Sequence, residues 1–369
     1  MSQERSIPSD TKVPPAKLAR LVETARHYLY RLHQKTVPAP AAMSEMILAG
    51  WTAQAITVAA DLGVADALSD GPLPLDELAR RVGADQDALH RLLRALVSRG
   101  VFRQRRDGRY ALSPLGETLR SDAPVSMAGA ARFYGSPQHH EHWSALADSV
   151  RTGKAAVPAL RGMDFFEYAA ANPEYGEKFN QAMTSSSELA LAPVVAAYDF
   201  SPYSTIVDVG GGHGRLLAAV LAATPTARGV LFDMPEVVAN APTLLGERNV
   251  ADRVDVVAGS FFDRVPTGGD AYVLKHIIHD WCDDDAVRIL RNVRAATERS
   301  ARVLLVEFVI PTHQRESLGK WADLEMLLCV GGRERTEAEF GELLGRAGFR
   351  LTRVVQTASP VSVVEARPV

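Results

Sequence analysis

Cysteine and uninterrupted apolar runs are both scarce in this sequence. Two cysteines, Cys282 and Cys329, among 369 residues are too few for a disulfide framework, so we expect a reducing compartment. The longest apolar stretch, residues 46–68, is interrupted by Gln54 and two aspartates, which argues against a membrane span. The opening MSQERSIPSD lacks the apolar core of a secretory signal. These features predict a soluble, cytoplasmic protein.

There is also no large excess of either charge. The chain has 41 Lys and Arg residues against 44 Asp and Glu residues, a net charge of −3. This balance argues against bulk electrostatic binding of nucleic acid, because proteins that follow phosphates are usually basic. Hydrophobic residues make up 47% of the chain, as in proteins that bury an ordinary core. A length of 369 residues exceeds the ~100–200 of a single domain, so we expect at least two domains.

The first forty residues form an extension of their own. Apolar side chains recur at helical spacing from Leu18 to Leu32, and the segment Val37-Pro38-Ala39-Pro40 ends this pattern. An amphipathic helix with one apolar stripe has to be covered by the chain's own body or by a partner subunit. Basic residues such as Lys17 and Arg20 suit a membrane surface, but we favour a solvated face on a docking helix.

Residues 41–125 have the layout of a winged helix. A short helix is predicted over Leu75–Val82, Asp85 caps a longer helix, and Gly100 ends it. The alternating segment 101–112 then predicts a small β-ribbon. Arginines in this region favour DNA binding and the neighbouring acidic residues oppose it. DNA binding is therefore the less favoured interpretation.

Residues 126–200 are mostly helical and mix aromatic with polar side chains. His139, His140 and His142 fall within four positions, but no carboxylate or cysteine completes a zinc spacing, so we expect no zinc here. The aromatic residues suit a wall over a planar substrate and a plain helical core equally well, and the sequence does not separate the two.

From residue 201 to 369, short apolar runs alternate with helical patterns. This alternation predicts a doubly wound α/β domain with a mostly parallel sheet. Two strand-like runs, 350–355 and 361–366, are joined by a short turn, which can connect only antiparallel neighbours. The sheet should therefore be mixed at one edge. Ligands of such sheets bind beyond the carboxyl ends of the strands, where the winding reverses.

A glycine-rich loop, DVGGGHG at 208–214, follows the first strand of this domain. The third glycine of the dinucleotide fingerprint is missing, because its position falls on Arg215, and no Walker-type phosphate motif is present. Asp233 closes the second strand, where a carboxylate can accept both hydroxyls of a ribose. A cofactor with a ribose and no pyrophosphate suits these residues best, and S-adenosylmethionine is the candidate. The alternative is a tight turn with Asp233 as a helix cap.

The sequence resembles the S-adenosylmethionine-dependent O-methyltransferases of the plant caffeate/flavonoid and bacterial polyketide-tailoring type. The shared motifs are DVGGGHG at 208–214, FDMPEVV at 232–238, GSFFD at 259–263, LKHIIHDWCDDDAVRIL at 274–290, VEFVIP at 306–311, GGRERTEAEF at 331–340, AITVAADLGVADAL at 55–68 and NPEYGEKFNQAM at 172–183. The resemblance implies a Rossmann-like methyltransferase domain over 201–369. It also implies a helical, winged-helix-like domain over 41–125 that mediates dimerisation, and a helical linker over 126–200 that contributes to the substrate pocket. The winged helix is thereby reassigned from DNA to self-association.

The resemblance also assigns site residues. His279 matches the general base, and Glu307 and Glu334 match the acids that flank and orient it. The cofactor-binding positions are Asp208, Gly210, Gly212, Asp233, Ser260, Phe261 and Lys275. Ser260 departs from the family, which usually has an acid there, so a hydrogen bond to adenine would lack charge. The predicted substrate-pocket residues are Met183, Trp143 and Phe179.

The implied reaction moves the methyl group of S-adenosylmethionine to a hydroxyl of an aromatic or polyketide-like small molecule, leaving S-adenosylhomocysteine. Displacement in line requires the oxygen opposite the sulfur, and His279 would take the hydroxyl proton. Four aspartates, Asp280 and Asp283 to Asp285, are expected to cap the next helix rather than bind a metal. His279 could instead cap the 280–285 loop.

Two other functions stay open at this stage. One is a cofactor-binding relative with changed chemistry, such as N- or C-methylation or another tailoring step. The other is a regulator that uses the winged helix on DNA. The favoured prediction is a metal-free homodimeric enzyme with a small-molecule acceptor and without nucleic-acid or membrane partners.

Overall fold

The computed structural model describes residues 13–369. These residues fall into two compact units. The first contains residues 28–144 and 163–188, and the second contains residues 13–27, 145–162 and 189–369. Within 13–369, no helix combines the length and the apolar character that crossing a bilayer requires.

The N-terminal part of the chain is helical, with one small β-ribbon. Its elements are α1 (Ala16–Lys35), α2 (Ala39–Asp61), α3 (Val64–Ala67), α4 (Leu75–Val82), α5 (Gln86–Ser98), β1 (Phe102–Gln104), β2 (Tyr110–Leu112), α6 (Pro114–Glu117), α7 (Ala128–Tyr134), α8 (Pro137–Ser144), α9 (Leu146–Thr152), α10 (Val157–Arg161), α11 (Phe165–Ala171) and α12 (Pro173–Ala197). Helices α9 and α10, the N-terminal part of α1 and the C-terminal end of α12 belong to the second unit.

Helices α4 and α5 and the ribbon β1–β2 follow one another as the sequence predicts. The Asp85 carboxylate accepts a hydrogen bond of 2.9 Å from the Ala88 N–H and so caps α5. Strands β1 and β2 pair antiparallel, with Phe102 opposite Leu112. Leu93 of α5 and Phe102 are buried in one hydrophobic cluster, which fixes the ribbon against the helix. The predicted helix, cap and ribbon are confirmed.

An aromatic cluster surrounds Phe133 of α7 within the first unit. The Phe133 ring lies 4.9 Å from the ring of His139, 5.4 Å from that of Tyr175 and 5.5 Å from that of Phe179. His139 and His142 are buried. Burial lowers the pKa of His139 to about 3, so this imidazole is neutral at physiological pH. Two of the three closely spaced histidines therefore belong to an aromatic core.

The second unit is an α/β domain around one eight-stranded sheet. Its further elements are β3 (Thr205–Val209), α13 (Arg215–Ala223), β4 (Arg228–Asp233), α14 (Pro235–Val238), α15 (Ala241–Glu247), β5 (Val254–Ala258), β6 (Ala271–Lys275), α16 (Asp283–Ala296), β7 (Arg302–Ile310), α17 (Leu318–Cys329), β8 (Arg335–Thr336), α18 (Glu337–Arg346), β9 (Phe349–Gln356) and β10 (Val361–Pro368), with 3₁₀ turns at Ala251–Arg253 and Ile278–Asp280. Seven strands run in the order β5-β4-β3-β6-β7-β10-β9, and the short β8 pairs with β7.

Most of this sheet is parallel. Every neighbouring pair from β5 to β7 is parallel, as is the pair β7–β8. Strand β10 is antiparallel to both of its neighbours, β7 and β9. The predicted α/β fold, with a mostly parallel sheet and an antiparallel edge, is confirmed.

The strands of the sheet are continuous apolar runs in the sequence because both faces of the sheet are buried. Successive residues of a strand point to opposite faces. Ile206 of β3 accordingly packs in one buried cluster with Leu217 of α13, whereas Val207 packs in a second cluster with Ile289 of α16. Both faces of the sheet are thus covered by helices, as parallel sheets require.

The winding of the sheet reverses between β3 and β6. These two strands are parallel neighbours, with β4 and β5 beyond β3 and with β7 beyond β6. The glycine-rich loop follows β3, and the 3₁₀ turn Ile278–Asp280 follows β6. Because parallel neighbours end at the same edge, the sheet brings these two segments together at the position where such folds bind their ligands.

Candidate active site

The glycine-rich loop after β3 needs glycine at two positions for different reasons. Gly210 has a φ of 69°, and a Cβ there would collide with the side chain of Ile277, beside the 3₁₀ turn. Gly212 has a φ of 61°, but the space beside its Cα is open. Left-handed backbone favours glycine at both positions. The loop therefore packs closely against the His279 segment on one side and leaves room for a bound group on the other.

Asp233 connects the end of β4 to this loop. Its Oδ2 accepts a hydrogen bond of 2.8 Å from the Gly212 N–H, and its Oδ1 accepts one of 2.7 Å from the Met234 N–H. The side chain is half-buried, and burial raises the pKa of Asp233 although both N–H groups oppose this shift. Each oxygen keeps a second lone pair, so the carboxylate can also accept hydrogen bonds from a ligand.

Asp208 lies beneath the same loop. Its side chain is buried, and a Cβ on Gly211 would collide with the carboxyl group. Burial, with a smaller contribution from the charge of Asp233, raises the pKa of Asp208 to about 7 against the opposing charge of Lys275. Lys275 ends β6 and is half-buried. Asp208 therefore lies against the sheet side of the loop.

The segment after β5 brings aromatic side chains to the same edge. The Phe261 ring lies 5.1 Å from the ring of Phe262 and 6.1 Å from that of Trp281. It also reaches to 3.6 Å from the position that a Cβ on Gly210 would occupy. The Ser260 Oγ accepts a hydrogen bond of 3.2 Å from the Phe262 N–H, so this hydroxyl already serves its own turn.

His279 lies in the 3₁₀ turn after β6 and is buried. Its Nδ1 is 2.7 Å from Glu334 Oε1, a hydrogen bond in which the imidazole N–H donates. The same Nδ1 is 3.8 Å from Glu307 Oε2. Nε2 lies 3.4 Å from Asp280 Oδ1. The structure therefore brings together all three residues predicted for catalysis, and it adds a third carboxylate.

Glu307 of β7 also holds the backbone of this turn. Its Oε1 accepts hydrogen bonds of 3.1 Å and 2.9 Å from the N–H groups of Ile277 and Ile278. Its Oε2 is 3.7 Å from Nδ1 of His276, a residue with a φ of 52°. The backbone thus turns sharply after Lys275, and the carboxylate anchors the residues that follow the bend.

Charge and burial oppose each other at His279. Burial alone would lower its pKa, but the carboxylates of Glu307, Asp280 and Glu334 together raise the pKa of His279 to about 10. Burial raises the pKa of Glu307 to about 7 and that of Asp280 to about 6, and the imidazolium charge opposes both shifts. Burial keeps the pKa of His276 well below its ordinary value. His279 is therefore the strongly basic imidazole of the pair.

Sequence reasoning missed two residues that position His279. A side chain at Gly332 would collide with the backbone of His279 and Asp280. The buried Arg335 donates hydrogen bonds to the carbonyl oxygens of Ile278 (3.0 Å) and Trp281 (3.0 Å). Both residues lie in the motif GGRERTEAEF, which is the only feature of the sequence that points to them. Their partners lie about fifty positions earlier in the chain, so the motif alone does not reveal these contacts.

Further contacts lock the segment that carries Glu334. The Glu334 N–H donates a hydrogen bond of 2.9 Å to Asp323 Oδ1 of α17. The Arg335 guanidinium donates one of 2.8 Å to Asp283 Oδ1. The predicted aspartate cap of α16 is wrong in detail, because Cys282 is the N-cap and no side chain caps the helix. Asp283 and its two successors occupy the first turn, where negative charge still favours the helix dipole.

The residues predicted for the substrate pocket all belong to the first unit. The Phe179 ring packs 5.1 Å from that of Phe165, and the Trp143 ring lies 6.5 Å from that of His139. Phe179, Trp143 and Met183 are each half-buried. Phe179 and Trp143 thus border the aromatic cluster around α7, and Met183 follows one turn after Phe179 on α12.

One group of side chains has donor atoms suited to a metal ion. His276, His279 and Glu307 place one such atom each within 4.8 Å of one another. Two imidazoles with a carboxylate are a donor set that zinc uses. In this chain Nδ1 of His279 is hydrogen-bonded to Glu334, and its Nε2 lies 3.4 Å from Asp280 Oδ1.

Comparison with known families matches both parts of the chain. A model of the O-methyltransferase domain matches residues 143–350, and a model of the O-methyltransferase dimerisation domain matches residues 44–122. The first match alone includes more than half of the chain, and it contains His279, Glu307 and Glu334.

Relatives from bacteria match over nearly their whole length. Phenazine O-methyltransferase PhzM of Lysobacter antibioticus is 42% identical over 333 residues, which cover 90% of this chain and 97% of the relative. The mitomycin biosynthesis 6-O-methyltransferase of Streptomyces lavendulae is 41% identical, with 88% and 93% covered. The 8-amino-8-demethylriboflavin N,N-dimethyltransferase of Streptomyces davaonensis is 37% identical, with 84% and 89% covered.

Solved structures agree with this assignment. The structure of LaPhzM matches with a TM-score of 0.86 and 42% identity, covering 90% of this chain and 100% of that one. Human N-acetylserotonin methyltransferase, solved in complex with S-adenosylmethionine, matches with a TM-score of 0.83 and 26% identity, covering 90% and 98%. With both its domains matched and its fold shared along almost the entire length of these proteins, the chain belongs to the S-adenosylmethionine-dependent O-methyltransferase family.

Proposed function

We propose that the chain methylates a hydroxyl group on an aromatic or polyketide-like small molecule, with His279 as the general base. The observation that carries this proposal is the imidazole held between Glu307 and Glu334 at the end of β6, beside the glycine-rich loop. The names of relatives support the acceptor class, since they include a phenazine O-methyltransferase and a 3-amino-4-hydroxybenzoate 4-O-methyltransferase. The related enzyme NcsB1 was solved with S-adenosylmethionine and 2-hydroxy-5-methyl naphthoic acid.

We propose that the loop after β3 and the end of β4 bind the cofactor. When bound, S-adenosylmethionine supplies a methyl carbon attached to a positively charged sulfur. Gly210 and Gly212 leave the loop without side chains, and the open space beside Gly212 suits a closely bound group. Asp233 would accept the ribose hydroxyls with the lone pairs that its two backbone hydrogen bonds leave over.

Ser260, Phe261, Lys275 and Asp208 complete the proposed cofactor site. Phe261 offers an apolar face near the glycine-rich loop, as an adenine ring requires. Ser260 is neutral, so its hydrogen bond to adenine would be weaker than one from the usual acid. Asp208 would act from beneath the loop, with Lys275 as its nearby opposite charge.

The carboxylates around His279 make proton transfer from a phenol feasible. An ordinary phenol has a pKa of ~10 and an ordinary histidine ~6.5, a difference worth about 5 kcal/mol. Raising the pKa of His279 to about 10 matches it to the phenol, so the transfer step itself becomes nearly balanced and the cost moves to the prior deprotonation of the imidazolium. Glu334 holds the proton on Nδ1, so Nε2 is the atom that accepts the hydroxyl proton. The imidazole has to lose a proton before it can act, so the active form becomes more abundant as the pH rises.

We propose that the reaction needs no metal. His279 is engaged through Nδ1 by Glu334, and Glu307 Oε1 already accepts two backbone hydrogen bonds. Both groups therefore have a complete role in orienting and charging the imidazole. We further propose a homodimer through residues 41–125, with residues 126–200, including Trp143, Phe179 and Met183, contributing to the acceptor pocket.

Labelled S-adenosylmethionine and a panel of matched acceptors test the proposed activity. We expect the labelled methyl group to pass to catechols, flavonoids or polyketide phenols, because a general base can ionise their hydroxyls. The same rings with the hydroxyl already methylated are the negative control. Matched anilines test the nitrogen chemistry of the N,N-dimethyltransferase relative. Label found only on anilines, or on no member of the panel, would contradict the proposal.

His279→Ala should separate chemistry from binding. We expect kcat to fall roughly 10²–10⁴-fold, the usual contribution of a general base, while alignment of the reactants preserves the rest of the acceleration. Calorimetry should show unchanged S-adenosylhomocysteine binding. Asp233→Ala should have the opposite effect: it should weaken S-adenosylhomocysteine binding roughly tenfold or more and leave the proposed base in place. Near-normal turnover in His279→Ala would reject His279 as the base.

Gly332→Ala should displace the catalytic turn without removing any catalytic group. The added Cβ collides with the backbone of His279 and Asp280, so we expect kcat to fall roughly tenfold or more. Gly341→Ala is the control, because that glycine lies in α18 with open space around it. Steady-state kinetics of the two variants, with unfolding followed by circular dichroism, make the comparison. Equal activity in both variants would contradict the positioning role of Gly332.

The pH dependence of kcat/KM tests the charge on His279. Because the base must be unprotonated and its pKa is raised to about 10, log(kcat/KM) should rise with pH from 6 towards 10. Glu334→Gln removes a negative charge but keeps a hydrogen-bond acceptor for Nδ1. It should therefore lower the pKa of His279 and shift the rising limb to lower pH.

Glu337→Gln is the matched control for this experiment, because it removes an exposed carboxylate from the start of α18. Its profile should coincide with that of the unaltered protein. Ionisation of the acceptor affects all three profiles equally, so only the difference between variants reports on His279. If the limb of Glu334→Gln stays in place or moves to higher pH, the proposed electrostatic role of Glu334 is wrong.

A further inference from the structure

Helix α1 exposes its apolar side. The stripe that we call the α1 stripe consists of Leu18, Leu21, Val22, Ala25, Tyr28, Leu29 and Leu32. At 100° per residue these side chains occupy one side of the helix. All seven are exposed, and Leu29 keeps 65% of its surface accessible. An exposed apolar stripe of this length is unusual on a monomeric protein.

A few polar side chains of α1 contact the rest of the chain. Arg20, His27 and Gln34 lie opposite the stripe and are half-buried. Nδ1 of His27 accepts a hydrogen bond of 3.5 Å from the backbone N–H of Glu316, and the Gln34 amide donates one of 3.3 Å to Met46 Sδ. Lys17, Arg26 and Arg31 are exposed, as the sequence predicts, and the apolar side of the helix is exposed as well.

The N-terminal half of α2 presents a second uncovered apolar surface. Met43, Met46, Ile47 and Trp51 are exposed, and Trp51 keeps 73% of its surface accessible. This half of α2 lies at the beginning of the match to the O-methyltransferase dimerisation domain, residues 44–122. A helix that is apolar around its circumference is normally buried. The match to a dimerisation domain points to a second copy of the chain as the partner that buries this surface.

We propose that the α1 stripe packs against a second copy of this chain and enlarges the dimer interface beyond the family's dimerisation domain. Three residues, 36–38, separate α1 from α2, and His33 Nε2 lies 3.5 Å from Glu45 Oε2 between the two helices. The apolar surface of α2 therefore continues directly into the C-terminal half of the α1 stripe. Helix α1 itself precedes residue 44, so neither family match includes it.

The contacts of α1 and the acidic residues of α2 favour a protein partner over a membrane. A helix on an anionic bilayer turns its apolar side to the lipid and keeps its polar side in water. Arg20, His27 and Gln34 on the polar side of α1 are instead half-buried, and His27 is hydrogen-bonded to the backbone of Glu316. The charged residues of α2 are Glu45 and Asp61, both acidic, so the adjoining exposed surface would be repelled by anionic lipid.

Sedimentation of the full-length chain across a concentration series tests this interface. The variant Leu21→Asp/Leu29→Asp places two charges in the α1 stripe, and we expect its dimer dissociation constant to rise roughly 100-fold or more, as for hot-spot residues. Tyr30→Asp is the matched control, because Tyr30 is exposed on the same helix outside the stripe. Its dissociation constant should stay near that of the unaltered chain. Circular dichroism and S-adenosylhomocysteine binding verify that each variant is folded.

Three outcomes would overturn the proposal. The first is a double variant that dissociates no more readily than Tyr30→Asp. The second is an unaltered chain that sediments as a monomer at micromolar concentration. The third is binding to a membrane instead of to a second copy. In that case the unaltered chain would co-sediment with phosphatidylserine-containing vesicles, whereas the double variant would not bind the vesicles and would still be fully dimeric. Because none of these measurements uses methyl transfer, their result is independent of the proposed reaction.

Discussion

The contact between the Glu307 carboxylate and the backbone of Ile277 and Ile278 determines where the imidazole of His279, the proposed general base, lies. A buried carboxylate is unstable unless hydrogen-bond donors surround it. Two N–H groups of the turn supply them, and the strand β7 that carries Glu307 is paired on both sides within the sheet. The turn therefore cannot move away from the sheet without leaving a buried acid unpaired. In this way the position of His279 depends on a rigid strand rather than on a flexible loop.

Arg335 stabilises the same turn from its other end. It donates to carbonyl oxygens on either side of His279, so both the N–H and the C=O groups of the turn are bound by charged side chains from β7 and β8. Because β8 also pairs with β7, the strand β7 fixes the positions of both Glu307 and Arg335. Preorganisation of this kind is what a transferred group requires, because alignment contributes more to such a reaction than the base does.

The features predicted correctly from the sequence depend on local patterns. Short apolar runs bounded by polar residues give the strands, with β3 at Thr205–Val209 as predicted, and the cap at Asp85 is a bond between residues three positions apart. Gly332 and Arg335 could not be found in this way, because their roles come from contacts with residues about fifty positions away. Nor does periodicity reveal which side of α1 faces the chain. A helical pattern separates the apolar from the polar side, and only the surroundings decide which of them is covered.

Strand order has a consequence for synthesis of the chain. Strand β7, which carries Glu307, lies between β6 and β10, and Glu307 itself is opposite Ser362 of β10. Domains are generally made N-terminal part first. On the ribosome, β6 and β7 therefore emerge well before β10, and one edge of β7 stays without its partner while α17, β8, α18 and β9 are being translated. An unpaired edge is a place where strands of other molecules can add. The nascent chain is thus open to strand addition at β7, the strand that anchors the His279 turn in the folded protein, and chaperones would protect it during this interval.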